Sequence, residues 1–523
     1  MKFMNKIFFA ICMLSLCGAC SKDFLNRPPL SQITGDNFYK TSDQIRLGTA
    51  SMYAGSMWFK WNSYPMIGLG DIMAGNLLAP YGGNSAIQVA TFTTNSSNTI
   101  LADAWSGLYD VVAQANVNIS ALKNVPDSVP SANVNAAIGE LRFFRASAYF
   151  YLVQLWGAVP IIEDNYKLIA NPLVPRHKRE DVYKFIINDL TFAAQNLPPA
   201  DAKGRVTLWS AEGMLAKVYL TRAGLNQTIT RTQSDLDSAA YFAGDVCNNS
   251  GLSLLPSYYN LFRSQYNDNQ ESLFALQWVP GVGYGAGNYF QSNFAPSGAI
   301  ITGTGGYGAA IGPTVDLYNQ YSKTDSVRRK ATFMLKGDYY PELNAAGGGY
   351  VATANACVKK HIIGTAADNN APTMDGLSSI EHNTILRLAD VYLVLAEAIL
   401  GNNASTTDPT ALQYFNLVRT RAGLNPLAVL TSDSLMKERR VELAFEGQYW
   451  FDLVRLSYYN PQAAINSLNA QNRVQFTYNN GVVTPNKPDP RFTKANVGTF
   501  VMQIPTNEVN QDSKLLDPPV SYY

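Results

Sequence analysis

The chain has 523 residues, with 40 Lys and Arg against 39 Asp and Glu, and charged residues make up only 15% of it. An ordinary soluble domain carries roughly 25% charged residues, and nonspecific nucleic-acid binding depends on Lys and Arg that contact phosphates. This composition therefore excludes a nucleic-acid binder that works through a basic face. Aromatic residues reach 12% and include 30 Tyr, and rings with a polar group suit wet surfaces that contact a ligand.

The first 20 residues have the organisation of a secretory signal. Two lysines precede an apolar run at 7–16, and two small residues come directly before Cys20. The run is too short to cross a bilayer core of roughly 30 Å. A cysteine in this position resembles the lipobox of bacterial lipoproteins. We therefore predict that residues 1–19 are removed and that an acylated Cys20 anchors the mature chain; the alternative is a soluble secreted protein that is cut nearby.

Helical periodicity then runs through most of the chain. The spacing of apolar residues predicts helices at about 41–53, 101–123, 135–156, 179–196, 208–223, 234–247, 381–401, 408–422, 431–456 and 459–468. Strand-like runs are short and scattered, as at 272–278 and 499–504. Small residues on several helices allow neighbours to approach closely, although no strict repeat is present. The predicted fold is all-α: a degenerate tetratricopeptide-like helical-repeat scaffold with long aromatic- and Gly-rich loop insertions and few short strands.

Two insertions interrupt these helices, at about 58–99 and about 278–312. Loops this long in a folded protein are either functional or disordered, and their aromatic content argues against disorder. Sugar rings offer apolar C–H faces and many hydroxyls, so exposed aromatic planes with nearby amides suit them. The alternative is that several of the rings fasten the loops to the scaffold. The predicted ligand contacts are Trp61, Tyr81, Asn84, Tyr284, Tyr289 and Tyr307.

The best candidate for a catalytic group is a set of carboxylates at Glu438, Glu442 and Glu446, spaced to share one face of a predicted helix. Glycoside hydrolases use two carboxyl groups, but these face each other across the bound sugar and one has a raised pKa. Carboxylates stacked on one helix with arginines between them more simply form ion pairs. We therefore predict a structural role and no catalytic residue.

Evidence for a cofactor or a metal is weak. Gly303, Gly305 and Gly308 match a dinucleotide-binding pattern, but that pattern must lie between a strand and a helix, and Pro313 follows too soon for a helix to start. The three histidines form no zinc-binding motif. We therefore predict no cofactor and no metal. The spacing of Cys247 and Cys357 leaves a disulfide between them open.

Several segments together resemble one family along nearly the whole mature chain. They include Cys20-Ser-Lys-Asp-Phe-Leu-Asn-Arg-Pro-Pro, Trp105-Ser-Gly-Leu-Tyr-Asp, Leu155-Trp-Gly-Ala-Val-Pro, Asn416-Leu-Val-Arg-Thr-Arg-Ala-Gly-Leu and Glu438-Arg-Arg-Val-Glu-Leu-Ala-Phe-Glu-Gly. The chain resembles the SusD/RagB-like outer-membrane lipoproteins of Bacteroidetes nutrient-uptake systems. This resemblance implies an all-helical body with four tetratricopeptide-like hairpins, no catalysis, and a lipid anchor at the cell surface of the outer membrane. It also implies a glycan ligand and a SusC-like TonB-dependent transporter as partner, but it assigns no ligand residue.

With the resemblance, the chain divides into a few regions. We predict a lipoprotein signal peptide at 1–19, a lipidated tether at 20–40, a SusD-like helical region at 41–270, and a C-terminal SusD/RagB-like region at 271–523 with a loop-rich subdomain at about 271–375 and helices at about 381–468. Three functions remain open: a glycan-binding transport lipoprotein, a peptide- or protein-binding helical-repeat adaptor, and a glycoside hydrolase. The identity of the glycan is open as well.

Overall fold

The structure is a computed structural model that describes residues 38–80, 82–282, 286–303, 306, 310–353 and 355–523. The predicted signal peptide and Cys20 lie outside the described residues, as do Tyr81, Tyr284 and Tyr307. The helices are α1 Ser42–Ala50, α2 Tyr64–Met66, α3 Gly83–Thr91, α4 Thr99–Leu122, α5 Ser131–Trp156, α6 Lys167–Ala170, α7 Arg179–Asn196, α8 Leu208–Arg222, α9 Gln233–Asn249, α10 Phe290–Phe294, α11 Val315–Tyr318, α12 Ser326–Thr332, α13 Leu388–Leu400, α14 Pro409–Arg421, α15 Ser432–Glu442, α16 Tyr449–Ser457, α17 Pro461–Asn469 and α18 Thr506–Gln511.

The body of the molecule is a series of long helices that pack on one another in chain order. Helix α4 packs on α5, α5 on α7, α7 on α8, α8 on α9, α9 on α13 and α13 on α14. Local sequence explains the ends: the Asn98 side chain accepts the backbone N–H groups of Ile100 and Leu101 at the start of α4, and α5 stops at Gly157, which has a φ of +72°. The all-α prediction is confirmed, whereas the tetratricopeptide-like character of the hairpins stays a prediction.

Most helix bounds agree with the sequence to within a few residues, but two predicted helices are shorter or interrupted in the structure. The first, at 381–401, begins as a strand at Asn383–Arg387, because this segment pairs with the strand at Ser272–Leu276 before α13 starts. The second, at 431–456, is broken between α15 and α16 by a turn in which Phe445 and Gly447 have positive φ. The predicted strand at 499–504 was wrong, since its first residues belong to a short 3₁₀ helix at Val497–Phe500.

Short antiparallel ladders connect segments that are far apart in the chain. The strands are β1 Leu77–Leu78, β2 Ser272–Leu276, β3 Gly312–Pro313, β4 Phe333–Met334, β5 Tyr339–Tyr340, β6 Tyr350–Val351, β7 Cys357–Val358, β8 Asn383–Arg387, β9 Ser405–Thr406, β10 Leu430–Thr431, β11 Phe476–Asn479 and β12 Val482–Pro485. They pair as β1–β3, β2–β8, β4–β7, β5–β6, β9–β10 and β11–β12. The β1–β3 ladder joins the two predicted insertions.

The first predicted insertion, at 58–99, is not a free loop. It contains α2, α3, β1 and a π-helix at Ile67–Ile72, and the indole rings of Trp58 and Trp61 are buried in the main hydrophobic core. The same core receives residues of α4, α5, α7, α8, α13 and α16. This part of the chain is therefore largely integrated into the helical body, and its exposed residues include Lys60, the start of α3 and several positions between α3 and α4.

Two further observations concern the described residues only. None of their helices combines the length and the hydropathy that a membrane span requires. Both Cys247 and Cys357 are free thiols, and burial raises the pKa of each above the ordinary value. The structure therefore gives no disulfide between these two positions.

Candidate functional site

The carboxylates that sequence analysis singled out belong to a buried network of ion pairs. Glu442 is fully buried and accepts hydrogen bonds from Arg387 at 2.7 Å, from Arg328 at 3.1 Å and from Arg421. Burial by itself opposes ionisation, but the guanidinium groups of Arg421, Arg387 and Arg328 outweigh it and lower the pKa of Glu442 to about 2. A carboxyl group with this pKa stays ionised at neutral pH, so it does not supply the proton that glycoside cleavage needs.

The other two carboxylates of this set are paired as well. Glu438 contacts Arg328 at 2.6 Å, and Glu446 contacts Lys360 at 2.9 Å and Arg387 at 2.8 Å. Glu446 also lies beyond the end of α15, so the three carboxylates do not share one helix as predicted. The interpretation as structural ion pairs is confirmed.

The two predicted insertions meet at the β1–β3 ladder. Leu78 pairs with Gly312 in an antiparallel register; Tyr81 follows Leu78 by three positions, and Tyr307 precedes Gly312 by five. Because antiparallel strands run in opposite directions, the end of β1 and the start of β3 lie at the same end of the ladder. The chain therefore leaves β1 towards Tyr81 at the same end of the ladder at which it arrives at β3 from Tyr307.

Tyr64 connects the residues that follow β1 to the segment that follows Tyr284. Its backbone N–H donates to the hydroxyl oxygen of Tyr289 at 3.2 Å, and its own hydroxyl lies 3.5 Å from the carbonyl oxygen of Gly82. Burial and the neighbouring Tyr289 raise the pKa of Tyr64 to about 12, so its hydroxyl is protonated at neutral pH. Tyr64 thus holds the backbone next to Tyr81 close to Tyr289.

The third segment closes on the same region through α10, the short helix that follows Tyr289. The backbone N–H of Gly306 donates to the carbonyl oxygen of Ser292 at 3.2 Å, and the Ser292 hydroxyl donates to the carbonyl oxygen of Tyr289 at 2.9 Å. We define the loop face as Tyr64, 82–84, 286–289, Gly303 and Gly306. It brings together the described neighbours of all three predicted tyrosines.

The segment 375–378, which sequence analysis did not connect to the site, packs against the glycine loops of the second insertion. The Ser378 hydroxyl accepts the backbone N–H of Gly281 at 2.5 Å, and Gly303 lies so close to Asp375 that a Cβ on the glycine would be 3.2 Å from the Cβ of Asp375. The carboxylate of Asp375 in turn accepts the backbone N–H of Leu377 at 2.8 Å. No local pattern in the sequence marks 375–378 as a partner of the distant glycine loops.

The predicted ligand residues do not all lie on the loop face. The prediction for Trp61 was wrong: its side chain is 0% exposed and packs against the rings of Tyr151 and Phe451, with centroids 4.7 and 6.4 Å away. Trp58, three residues earlier, is buried as well. Trp278 and Phe290, two further rings of the second insertion, are buried too.

Two of the predicted residues are accessible within the described part of the chain. Asn84 is exposed at the start of α3. Tyr289 is half-buried, with its ring 5.6 Å from that of Phe59. Tyr81, Tyr284 and Tyr307 stay predictions. Among the described residues, the predicted contacts that are accessible are therefore one amide group and one phenol group.

Comparisons with known proteins agree with this architecture. A model of the SusD family matches residues 270–520, and a model described as starch-binding associating with outer membrane matches residues 72–220. A SusD-like protein of Bacteroides ovatus is 40% identical over 87% of this chain and 83% of its own length.

Solved structures resemble the chain over nearly its full length. A crystal structure with a xylogluco-oligosaccharide has a TM-score of 0.84 and 37% identity, and the match covers 92% of this chain and 99% of that one. A laminarin-binding SusD-like protein, 24% identical with a TM-score of 0.69 over 91% of this chain and 98% of its own, has the same fold. Since the family model, the relative and the structures all match along the helical body, the chain belongs to the SusD/RagB-like family.

Proposed function

We propose that this protein is a cell-surface lipoprotein that binds a glycan and does not cleave it. The observation that carries the proposal is the convergence of three aromatic, glycine-rich segments on the loop face, through the β1–β3 ladder, Tyr64 and α10. The 37% identical structure that contains a xylogluco-oligosaccharide supports xyloglucan as the class of ligand.

In this proposal the ligand is held by planar rings and a few polar groups. Tyr81, Tyr284 and Tyr307 supply planes for the C–H faces of the sugar rings, and Asn84 supplies an amide that both donates and accepts hydrogen bonds. Tyr289 contributes the exposed part of its ring. Its hydroxyl already accepts the N–H of Tyr64, so this ring is held in place before the ligand arrives, which lowers the entropy that binding costs.

Cleavage is not part of the proposal. The carboxylates of Glu438, Glu442 and Glu446 are occupied by arginines and a lysine, and they lie inside the helical body. A hydrolase would instead need two carboxyl groups on opposite sides of the scissile bond.

The proposal also includes where the protein acts. An acylated Cys20 would hold it on the outer face of the outer membrane, and a SusC-like TonB-dependent transporter would receive the glycan from it. The signal-like first 19 residues support the anchor, and the description of the second matching family model, which names the outer membrane, supports the location. A Cys20→Ala variant should leave the membrane fraction or remain unprocessed, and normal membrane retention would contradict the anchor.

Calorimetric titration tests the binding proposal. Mature protein is titrated with a xylogluco-oligosaccharide, with laminari- and malto-oligosaccharides as comparisons, and the mixture is assayed for new reducing ends. We expect saturable binding of the first and no release of reducing sugar. Binding of none of the three would contradict the glycan proposal, and sustained hydrolysis that Glu442→Gln abolishes would contradict the absence of catalysis.

A further inference from the structure

A cavity of about 520 Å³ lies beside the loop face, between α3 and the chain on either side of the β11–β12 hairpin. Its volume is within the range of ordinary ligand sites, roughly 300–1,000 Å³. The residues around it include Pro80, Ile87, Gln475, Asn486, Pro490 and Arg491. Neither the sequence motifs nor the predicted ligand contacts include this cavity.

The lining combines apolar C–H surfaces with polar groups at its edge. Pro80, Ile87 and Pro490 supply the apolar surfaces. The guanidinium of Arg491 donates to the carboxylate of Asp489, with Nε to Oδ1 at 2.9 Å, so this pair presents donors and acceptors with no net charge, and Lys487 adds one ammonium group. A saccharide unit has the same two kinds of surface, C–H faces and hydroxyls that both donate and accept.

The walls of the cavity are held together by hydrogen bonds between distant parts of the chain. The Gln475 amide donates to the carbonyl oxygen of Leu78 at 3.3 Å, and the backbone N–H of Asn486 donates to the carbonyl oxygen of Gln475 at 2.8 Å. On the other side, the backbone N–H of Thr493 donates to the carbonyl oxygen of Thr91 at 3.3 Å. The cavity is therefore formed before a ligand enters, which lowers the entropy that binding costs.

The cavity and the loop face draw on neighbouring residues of the same two segments. Pro80 lines it and directly precedes Tyr81 in the sequence, and Ile87 lines it one helical turn after Asn84 on α3. Since one turn advances a helix by about 5.4 Å, a glycan that contacts Asn84 needs only a short extension to reach Ile87.

We propose that this cavity is a second subsite, which binds further sugar units of the same glycan chain that the loop face holds. This inference rests on the proposed function, because it assumes a glycan on the loop face. It adds that affinity depends on chain length: a short oligosaccharide occupies the loop face alone, and a longer one also fills the cavity between α3 and the β11–β12 hairpin.

The test compares two ligands on four proteins by calorimetric titration. The ligands are a single-repeat and a double-repeat xylogluco-oligosaccharide. The proteins are the parent and three variants. Asn486→Ala removes a side chain from the lining, and Ile87→Trp fills the cavity with a larger side chain. Asn124→Ala, which removes an exposed asparagine just after the end of α4, is the matched control. Thermal melts check that each variant is folded.

We expect the parent to bind the longer ligand about tenfold more tightly than the shorter one. Asn486→Ala should weaken the longer ligand about fivefold, Ile87→Trp should abolish the length preference, and both should leave the shorter ligand unchanged; Asn124→Ala should resemble the parent. If folded Ile87→Trp retains the full preference, or if both cavity variants weaken the two ligands equally, the subsite is overturned while the loop face stands. If the parent binds neither ligand, the proposed xyloglucan function itself fails.

Discussion

The helical body around Glu442 and the loop face differ in what their polar groups do. In the body, charged side chains are buried and each carboxylate of the set contacts at least two cations, as Glu442 contacts Arg328, Arg387 and Arg421. On the loop face, the contacts between segments are mainly hydrogen bonds that involve the backbone, such as those made by Gly306 and Tyr64. The segments of the loop face are thus held together largely through the main chain.

This difference means that the two regions should respond to mutation in different measurements. Removing a side chain from the body leaves a cavity or an unpaired buried charge, both of which destabilise a folded protein strongly. Removing the ring of Tyr81, Tyr284 or Tyr307 should instead weaken ligand binding, while the hydrogen bonds that the backbone N–H groups of Tyr64 and Gly306 donate remain. Mutations in the helical body should therefore lower stability, and mutations on the loop face should lower affinity for the ligand.

The largest expected effect is a loss of stability at Trp61, which the sequence placed among the ligand contacts. Truncation of Trp61 to Ala should lower the free energy of unfolding by about 3–5 kcal/mol, because its buried ring leaves a cavity beside Tyr151 and Phe451. Trp450→Ala is the benchmark, since that ring is equally buried and stacks on Phe500 with centroids 5.5 Å apart. Chemical denaturation measures both. A Trp61→Ala protein with parental stability and lost glycan binding would return Trp61 to the ligand site.

A similar loss is expected in the ion-pair network. Glu442→Ala should cost about 3–5 kcal/mol of stability, because it leaves three buried arginines short of a partner. Asp127→Ala is the control: this aspartate is exposed in the turn between α4 and α5, and a surface change of this kind is expected to stay within about 0.5 kcal/mol. Urea titration of both variants measures the difference, and equal stability of the two would show that the network contributes little.

The pH dependence of stability tests the contribution of the ionised Glu442 separately. The folded-state pKa of Glu442 is about 2, below its ordinary value of about 4.3, so the folded protein binds this proton less readily than the unfolded chain. The stabilisation is therefore complete above about pH 5 and is lost as the pH falls toward 2. Urea midpoints at about pH 6 and pH 3 should differ less for Glu442→Gln than for the parent, whereas Tyr81→Ala should keep the parental difference.

A smaller effect is expected on the loop face. Tyr81→Ala, Tyr284→Ala and Tyr307→Ala should each weaken binding of a xylogluco-oligosaccharide about tenfold, which corresponds to about 1.4 kcal/mol. Melting temperatures should remain within a few degrees of the parent, since no core ring is removed. Titration and thermal melts separate the two quantities. Parental affinity in all three variants would place the glycan site elsewhere on the molecule.

The smallest effect is expected for Asn84. Its amide is exposed at the start of α3, so Asn84→Ala should weaken binding only a few-fold, in keeping with about 0.5–1.5 kcal/mol for one hydrogen bond. Stability should not change, and Asn124→Ala should change neither quantity. A loss of affinity larger than that of the tyrosine variants would show that polar contacts, and not ring planes, dominate the loop face.

Local patterns in the sequence determined much of the helical body. Apolar spacing predicted α4, α5, α7 and α8 to within a few residues, because helix formation and one-sided burial depend on residues three and four positions apart. The arginines between Glu438 and Glu442 also favoured ion pairs over catalysis before any distance was known. The family segments, from Trp105 to the helix at α15, were visible in the same way.

Only the tertiary structure decided which aromatic rings are buried and which segments meet. Trp61 is covered by Tyr151 and Phe451, which come from helices far along the chain, so no local pattern specifies its exposure. The break after α15 likewise depends on a remote contact, since the Gly447 N–H donates to the carboxylate of Asp71 at 2.9 Å. Burial and convergence are properties of pairs of distant residues, whereas periodicity is a property of neighbours, and this is why the sequence predicted the helices better than the site.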